Sequence, residues 1–212
     1  MKVILVNGSP HPHGCTDAAL TEVETTLQSD GIDTNRFWIG NKAISGCISC
    51  SACNRIGKCS ITDVVNEFVQ HAYEADGFIF GSPVHYAAMA GNMTSFMDRV
   101  FYSAFLGGHG KALQYKPAGV VLSARRGGTT AAYDQFNKYF GISEMPIISS
   151  QYWNMVHGTT PDEVKRDLEG MQIMRTLGRN MAYFLKCIEA GKNAGIMLPK
   201  RETPVKTSFI RE

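Results

Sequence analysis

What this sequence lacks narrows its class before any motif is read. It has no apolar run of the roughly 18 residues that a membrane-spanning helix needs, so no membrane partner is expected. Its opening apolar stretch, Val3-Ile4-Leu5-Val6, meets Asn7-Gly8 at once and is too short for a secretory leader. A cytoplasmic location is therefore expected, where thiols stay reduced and the six cysteines make poor disulfide candidates. No block of like charge stands out beyond a mildly basic tail, and the net charge is only +2, so no nucleic-acid partner is expected. There is no internal repeat, low-complexity tract or linker, which predicts one domain over residues 1–212 with a surface tail from about Lys192. Neither G-x-G-x-x-G nor G-x-x-x-x-G-K-[ST] occurs, which argues against a Rossmann dinucleotide site and a Walker nucleotide loop.

What is present is the balance of a globule, 44% apolar and 19% charged, patterned as short strands between amphipathic helices. Strands are predicted at Lys2–Val6, Thr34–Trp38, Gly77–Gly81, Pro117–Ser123 and Pro146–Ser149. Phe78-Ile79-Phe80 is consecutively apolar, as a strand covered on both faces requires. Helices are predicted over Thr16–Gln28, from an Asp63 N-cap to Tyr73, from about Asn92, and over Thr130–Phe140. Thr160-Pro161-Asp162-Glu163 is a capping box with proline in the first turn, opening a last helix that Gly191 is expected to stop. Five strands alternating with five helices specify an α/β three-layer sandwich on a parallel sheet.

In such a sheet ligands sit beyond the carboxyl ends of the strands. Three loops there carry unusual residues. The first runs from Asn7 to Thr16: Ser9 and Thr16 offer hydroxyls, His11 and His13 flank it, and Gly14, Cys15 and Thr16 begin a helix. Amides and dipole at that point favour an anion, and a monophosphate suits the donor set. The second, Gly81-Ser82-Pro83-Val84-His85-Tyr86, holds a stiffening proline and an aromatic able to stack on a flat ligand. The third, Ser123-Ala124-Arg125-Arg126-Gly127-Gly128, lets backbone approach a ligand edge and supplies positive charge.

Taken together, Asn7-Gly8-Ser9-Pro10 with Gly14 and Thr16, Gly81-Ser82-Pro83-Val84 with Tyr86, and Met97-Asp98-Arg99 give the chain a resemblance over nearly its whole length. It resembles the NADPH-dependent FMN reductase and iron–sulfur flavoprotein branch of the flavodoxin-like superfamily. The resemblance implies strand order 2-1-3-4-5, FMN with its phosphate in the first loop, and the isoalloxazine ring held by the second and third. One departure is Cys15, which stands where the family usually has Asn and replaces an amide donor with a weak thiol.

Cys47, Cys50, Cys53 and Cys59, within a cysteine-rich loop at 46–59, are spaced C-x2-C-x2-C-x5-C. Successive spacings of three let thiolates wrap a cubane, whereas structural zinc sites split their ligands into two distant pairs. The array favours a [4Fe–4S] cluster and is similar to the cysteine motif of iron–sulfur flavoproteins; bare or redox-active thiols are the competing reading. Cys187 is expected to be a buried apolar residue, Asp98-Arg99 a structural ion pair, and Tyr152-Trp153 a packing element. His71, His109 and His157 form no metal pattern. The expected activity is an oxidoreductase passing electrons from NAD(P)H through FMN to a small-molecule or protein redox partner, with no side chain required as acid, base or nucleophile. The alternatives are an electron carrier fed by a ferredoxin-like donor, and a thiol-based redox sensor. Short flavin loops and the aromatics Tyr102, Phe105, Tyr152 and Trp153 suggest a homodimer or homotetramer.

Overall fold

Alternation along the first strand sets the layering. In β1 (Lys2–Asn7), Val3 and Leu5 face one side of the sheet and Ile4 and Val6 the other, and all four are fully buried. The structure, a computed structural model, describes residues 1–108, 110–203, 205 and 207–209, so His109 and Pro204 lie outside the described residues. After β1 come α1 (Cys15–Ser29), β2 (Asp33–Trp38), α2 (Ala52–Ile56), α3 (Val64–Glu74) and β3 (Gly77–His85). There follow β4 (Ala88–Met89), α4 (Gly91–Gly108), β5 (Ala118–Ala124) and α5 (Thr129–Ile142). The chain then forms β6 (Met155–His157), α6 (Pro161–Arg166) and α7 (Leu168–Asn193).

The sheet runs β2-β1-β3-β5-β6 with every neighbouring pair parallel, and the short β4 pairs antiparallel with β3. Strand order therefore reverses beside β1, whose two neighbours β2 and β3 leave in opposite directions, and ligand crevices form at such a switch point. One face packs Phe78 and Phe80 beneath Phe68, Phe96, Phe136 and Phe140, with Phe68 and Phe96 edge-to-face at 5.2 Å. The other buries Leu20, Val23 and Leu27 of α1 against Met174, Leu177 and Met181 of α7. Each such side chain contributes about 1.5–3 kcal/mol by leaving water. Among the described residues no helix is long and apolar enough to cross a membrane.

The three-layer parallel architecture matches the expectation, with corrections in detail. The predicted fifth strand, Pro146–Ser149, makes only a single bridge from Ile147 to Ala118. Pro146 has no N–H to donate, and the chain peels away until Met155–His157 re-enters as β6 beside Leu122–Ala124. The third strand runs past Gly81 to His85, so Pro83, Val84 and His85 lie on a strand extension. The last helix is two: Asp167, at ψ 81, breaks it, its carboxylate accepting from Gly170 N at 2.9 Å and His157 N at 2.7 Å. Gly191 stays helical, and the stop falls at Ala194 before Gly195 at φ +83. Cys187 is exposed, because it sits on the outer face of α7. The Thr160 and Asp63 caps form as expected, accepting from Glu163 N and Val65 N.

Candidate functional site

The ends of β1, β3 and β5 deliver the three loops to one place, and hydrogen bonds tie them together. Gly8 N donates to Gly81 O at 2.8 Å, joining the first loop to the second. A Cβ on Gly8 would lie 2.5 Å from Met93 Sδ and 2.8 Å from Gly81 O, so only glycine permits this approach. Thr16 Oγ1 and Ser123 Oγ lie 2.8 Å apart, joining the first loop to the third. Within the first loop, Asn7 Oδ1 accepts from Ser9 N at 2.9 Å, and Ser9 Oγ accepts from His11 N at 3.1 Å. Trp38 Nε1 donates to Ser9 O at 2.8 Å and holds the loop from the β2 side.

This geometry leaves donors without protein acceptors. Gly14 is the N-cap of α1 and supplies no side-chain acceptor to the first-turn amides. Ser9 and Thr16, 4% and 1% exposed, bring hydroxyls to the same point; Ser9 Oγ lies 3.7 Å from where a Gly14 Cβ would stand. Ser9 accepts but does not donate inside the loop, and of the Thr16–Ser123 pair only one hydroxyl hydrogen is used. The set fits a phosphate: uncapped amides, two spare hydroxyl hydrogens and the positive end of a helix. Cys15 does not join it, because its thiol is turned to Gly158 O at 3.7 Å, and burial pushes its pKa up.

Beside that corner stands a strained hairpin. Between His85 and Ala88, Tyr86 (φ 50) and Ala87 (φ 58) form a two-residue loop with both angles positive, the shape of a type I′ turn that normally selects Asn-Gly. Non-glycine residues here cost about 1–2 kcal/mol each. The turn lifts Tyr86 into full exposure. Gly128, at φ +99, lets the third loop touch the hairpin, since a Cβ there would meet Ala87 Cα at 2.6 Å. Ser82 Oγ accepts from Ala90 N at 3.0 Å and anchors the hairpin's far side. Arg125, Arg126, Gly127 and His85 are exposed on the same rim, while Pro83 and Val84 are half-buried.

The cysteine segment forms a second centre. Cys47, Cys50, Cys53 and Cys59 all line one recess that opens to solvent, and Arg99, Tyr102 and Ser103 of α4 line it with them. The unforeseen helix α2 carries Cys53, between left-handed Ser51 (φ 54) and Gly57 (φ 75), so the segment coils back on itself. Gly107 is why it can dock: a Cβ there would lie 2.6 Å from the Gly57 carbonyl carbon. Asn66 brackets Cys59, accepting from its N–H at 3.0 Å and donating to its carbonyl at 2.9 Å. A hydrogen bond with Ser60, then the Ala52 amide, pulls the Cys50 thiol below its usual pKa, whereas burial raises Cys53. A single tetrahedral ion needs thiolates about 2.3 Å from one point. Among the described residues no three His, Cys, Asp or Glu side chains converge in that way. Four soft donors around one recess suit a cluster, which spreads its ligands over several irons.

Sequence reasoning paired Asp98 with Arg99, and the structure separates them. Asp98 accepts from Tyr139 Oη, and Arg99, 1% exposed, turns the other way to Asp63 and Cys59. Consecutive helix residues point about 100° apart and rarely face each other. Tyr152 and Trp153 do not pack into the core; they stand half-exposed, edge-on to each other at 4.7 Å. Trp38 and Asn66 were given no role in a site from the sequence, and Asn7 and Ser82 were named there only within their loop motifs, with the Asn-Gly-Ser turn as the usable signal.

With this geometry in view, comparison with known proteins is decisive. Residues 1–160 match the family described as NADPH-dependent FMN reductase. The chain belongs to that family. An iron–sulfur flavoprotein of Methanocaldococcus jannaschii is 32% identical to this family member over 196 residues, covering 89% of this chain and 100% of the relative. Among solved structures, a flavodoxin from the domain Archaea aligns with TM-score 0.58 at 16% identity, over 88% of this chain and 99% of that one. An NAD(P)H:quinone oxidoreductase from Methanothermobacter marburgensis aligns with TM-score 0.64 at 17% identity, over 85% and 96%. Those two show the fold, which is flavodoxin-like. As an FMN reductase family member the chain is a flavoprotein oxidoreductase.

Proposed function

We propose that this oxidoreductase uses FMN to carry electrons from NAD(P)H to a small-molecule or protein acceptor, and that Cys47, Cys50, Cys53 and Cys59 hold a [4Fe–4S] cluster. The observation that carries the flavin reading is the uncapped start of α1 beside the buried Ser9 and Thr16 hydroxyls, at the switch point of the sheet. Ser9, Thr16 and the amides from Gly14 to Thr16 bind the phosphate, with His11 at the rim. Pro83, Val84, His85 and Tyr86 line one side of the ring. Ser123, Ala124, Gly127 and Gly128 present backbone to its edge, and Arg125 or Arg126 supplies positive charge there. FMN contributes the two-electron and one-electron chemistry; the chain orients it and excludes water from one face.

Four thiols in one recess support the cluster, as does the name iron–sulfur flavoprotein carried by the M. jannaschii relative. Exposed Cys47 and Cys50 favour a second reading, in which a ferredoxin-like protein delivers electrons through this opening. Tyr86 stands uncovered within one chain, so the ring site is completed by another subunit of a homodimer or homotetramer. Denaturing the purified full chain and quantifying released flavin tests the core of the reading. One FMN per chain is expected; a chain that neither retains nor rebinds FMN contradicts it.

A further inference from the structure

Arg99 is the largest fully buried side chain that the fold's hydrophobic packing does not explain. All five of its N–H groups are engaged. Nη1 donates to Asp63 Oδ2 at 2.6 Å and Ser45 O at 3.3 Å. Nη2 donates to Asp63 Oδ1 at 2.9 Å, to Ile61 O at 3.0 Å and to Cys59 Sγ at 3.3 Å. Nε donates to the same sulfur at 3.4 Å. Asp63 alone would satisfy the cation in a bidentate pair. Aiming two further N–H groups at one sulfur is wasteful if that sulfur is a neutral thiol, which accepts weakly, and well matched if it is a thiolate.

The backbone contacts carry a second meaning. Ser45 stands two residues before Cys47, and Ile61 two residues after Cys59, so one side chain grips both ends of the cysteine segment. Fixing both ends removes part of the ordering cost that four ligands on a free loop would meet on binding. Asn92, two turns earlier on α4, extends the grip by accepting from Ile44 N at 3.3 Å and donating to Lys42 O at 2.9 Å.

We infer that Arg99 is the positioning residue of the cysteine centre: it holds the segment closed and, through its N–H groups on Cys59 Sγ, raises the reduction potential of the cluster bound there. Hydrogen bonds to ligand sulfur and net charge are among the levers that set such potentials. The inference rests on the reading above that these thiolates hold a cluster.

The test compares wild type, Arg99→Lys and the double variant Arg99→Met/Asp63→Asn, which leaves no unpaired buried charge. Each full chain is reconstituted anaerobically with ferrous iron and sulfide. Iron and sulfide content, FMN content and the cluster potential from a spectroscopic redox titration are read. Wild type is expected to load iron and sulfide. Arg99→Lys keeps the cation but cannot span the sulfur, the carboxylate and both carbonyls, so its cluster potential falls. The double variant falls further or loses iron, while FMN content stays at the wild-type level because the phosphate loop is remote. A loaded wild-type cluster whose potential neither substitution moves overturns the role of Arg99 alone. A wild-type chain that takes up no iron overturns the cluster reading, and this inference with it.

Discussion

Ser9→Ala removes one oxygen from the corner where the phosphate is placed, and the structure sets what that should do. Among the described residues Ser9 Oγ accepts only from His11 N, at 3.1 Å, and His11 is exposed, so the freed amide can turn to water. The intramolecular loss is therefore small, about 0.5–1.5 kcal/mol. Toward a phosphate the hydroxyl donates a charge-assisted bond of about 1.5–3 kcal/mol, equivalent to a roughly 10- to 150-fold rise in Kd. The assay is titration of flavin-free chain with FMN and, separately, with riboflavin, which has the same ring and no phosphate. FMN should weaken by that factor and riboflavin not at all. If both flavins weaken alike, the substitution has disturbed the loop generally; if neither does, the phosphate sits elsewhere. Either result refutes the placement.

Thermal melts should show Gly8→Ala destabilised by about 1–3 kcal/mol, since its Cβ would press on Met93 and Gly81 O and force the first two loops apart. Arg125→Met or Arg126→Met should lower the flavin midpoint potential, where about 30 mV in a two-electron couple is ~1.4 kcal/mol; if neither moves it, the pair is solvated surface. Burial of Lys116, whose Nζ donates to the Ala72 and Tyr73 carbonyls, pulls its pKa from 10.5 to about 8. Between those values the unfolded chain binds more protons, so stability lost below about 8 is recovered as pH climbs to 10.5, and Lys116→Met should flatten that rise in urea melts. Sedimentation should find an oligomer; a stable 23.3 kDa species at micromolar concentration would remove the subunit-completed ring site.

Local chemistry made much of this legible in the sequence. Phe78-Ile79-Phe80 could only be a strand covered on both faces, and the Asp63 and Thr160 caps wrote their helix starts directly. The loops after β1, β3 and β5 were legible because glycine and hydroxyl residues cluster where strands end. What stayed hidden depends on partners distant in sequence. Met155–His157 has too few residues to show a period, and becomes a strand only because β5 leaves an edge for it. Asp167 breaks a continuous helical pattern because His157 N, ten residues earlier, claims its carboxylate. Arg99 looked like half of a local pair, and its true partners, Asp63 and Cys59, lie 36 and 40 residues away.

The central claim, that flavin held at this sheet edge takes electrons from a nicotinamide, is tested most directly by anaerobic mixing. FMN-loaded chain is mixed with NADPH, then with NADH, while the visible absorption of the flavin is followed. The account predicts that at least one nicotinamide bleaches the flavin within the mixing experiment, and that an added acceptor restores its colour. A flavin that stays fully oxidised with both nicotinamides, yet is bleached by a reduced ferredoxin, would contradict it and leave the electron-carrier reading in its place.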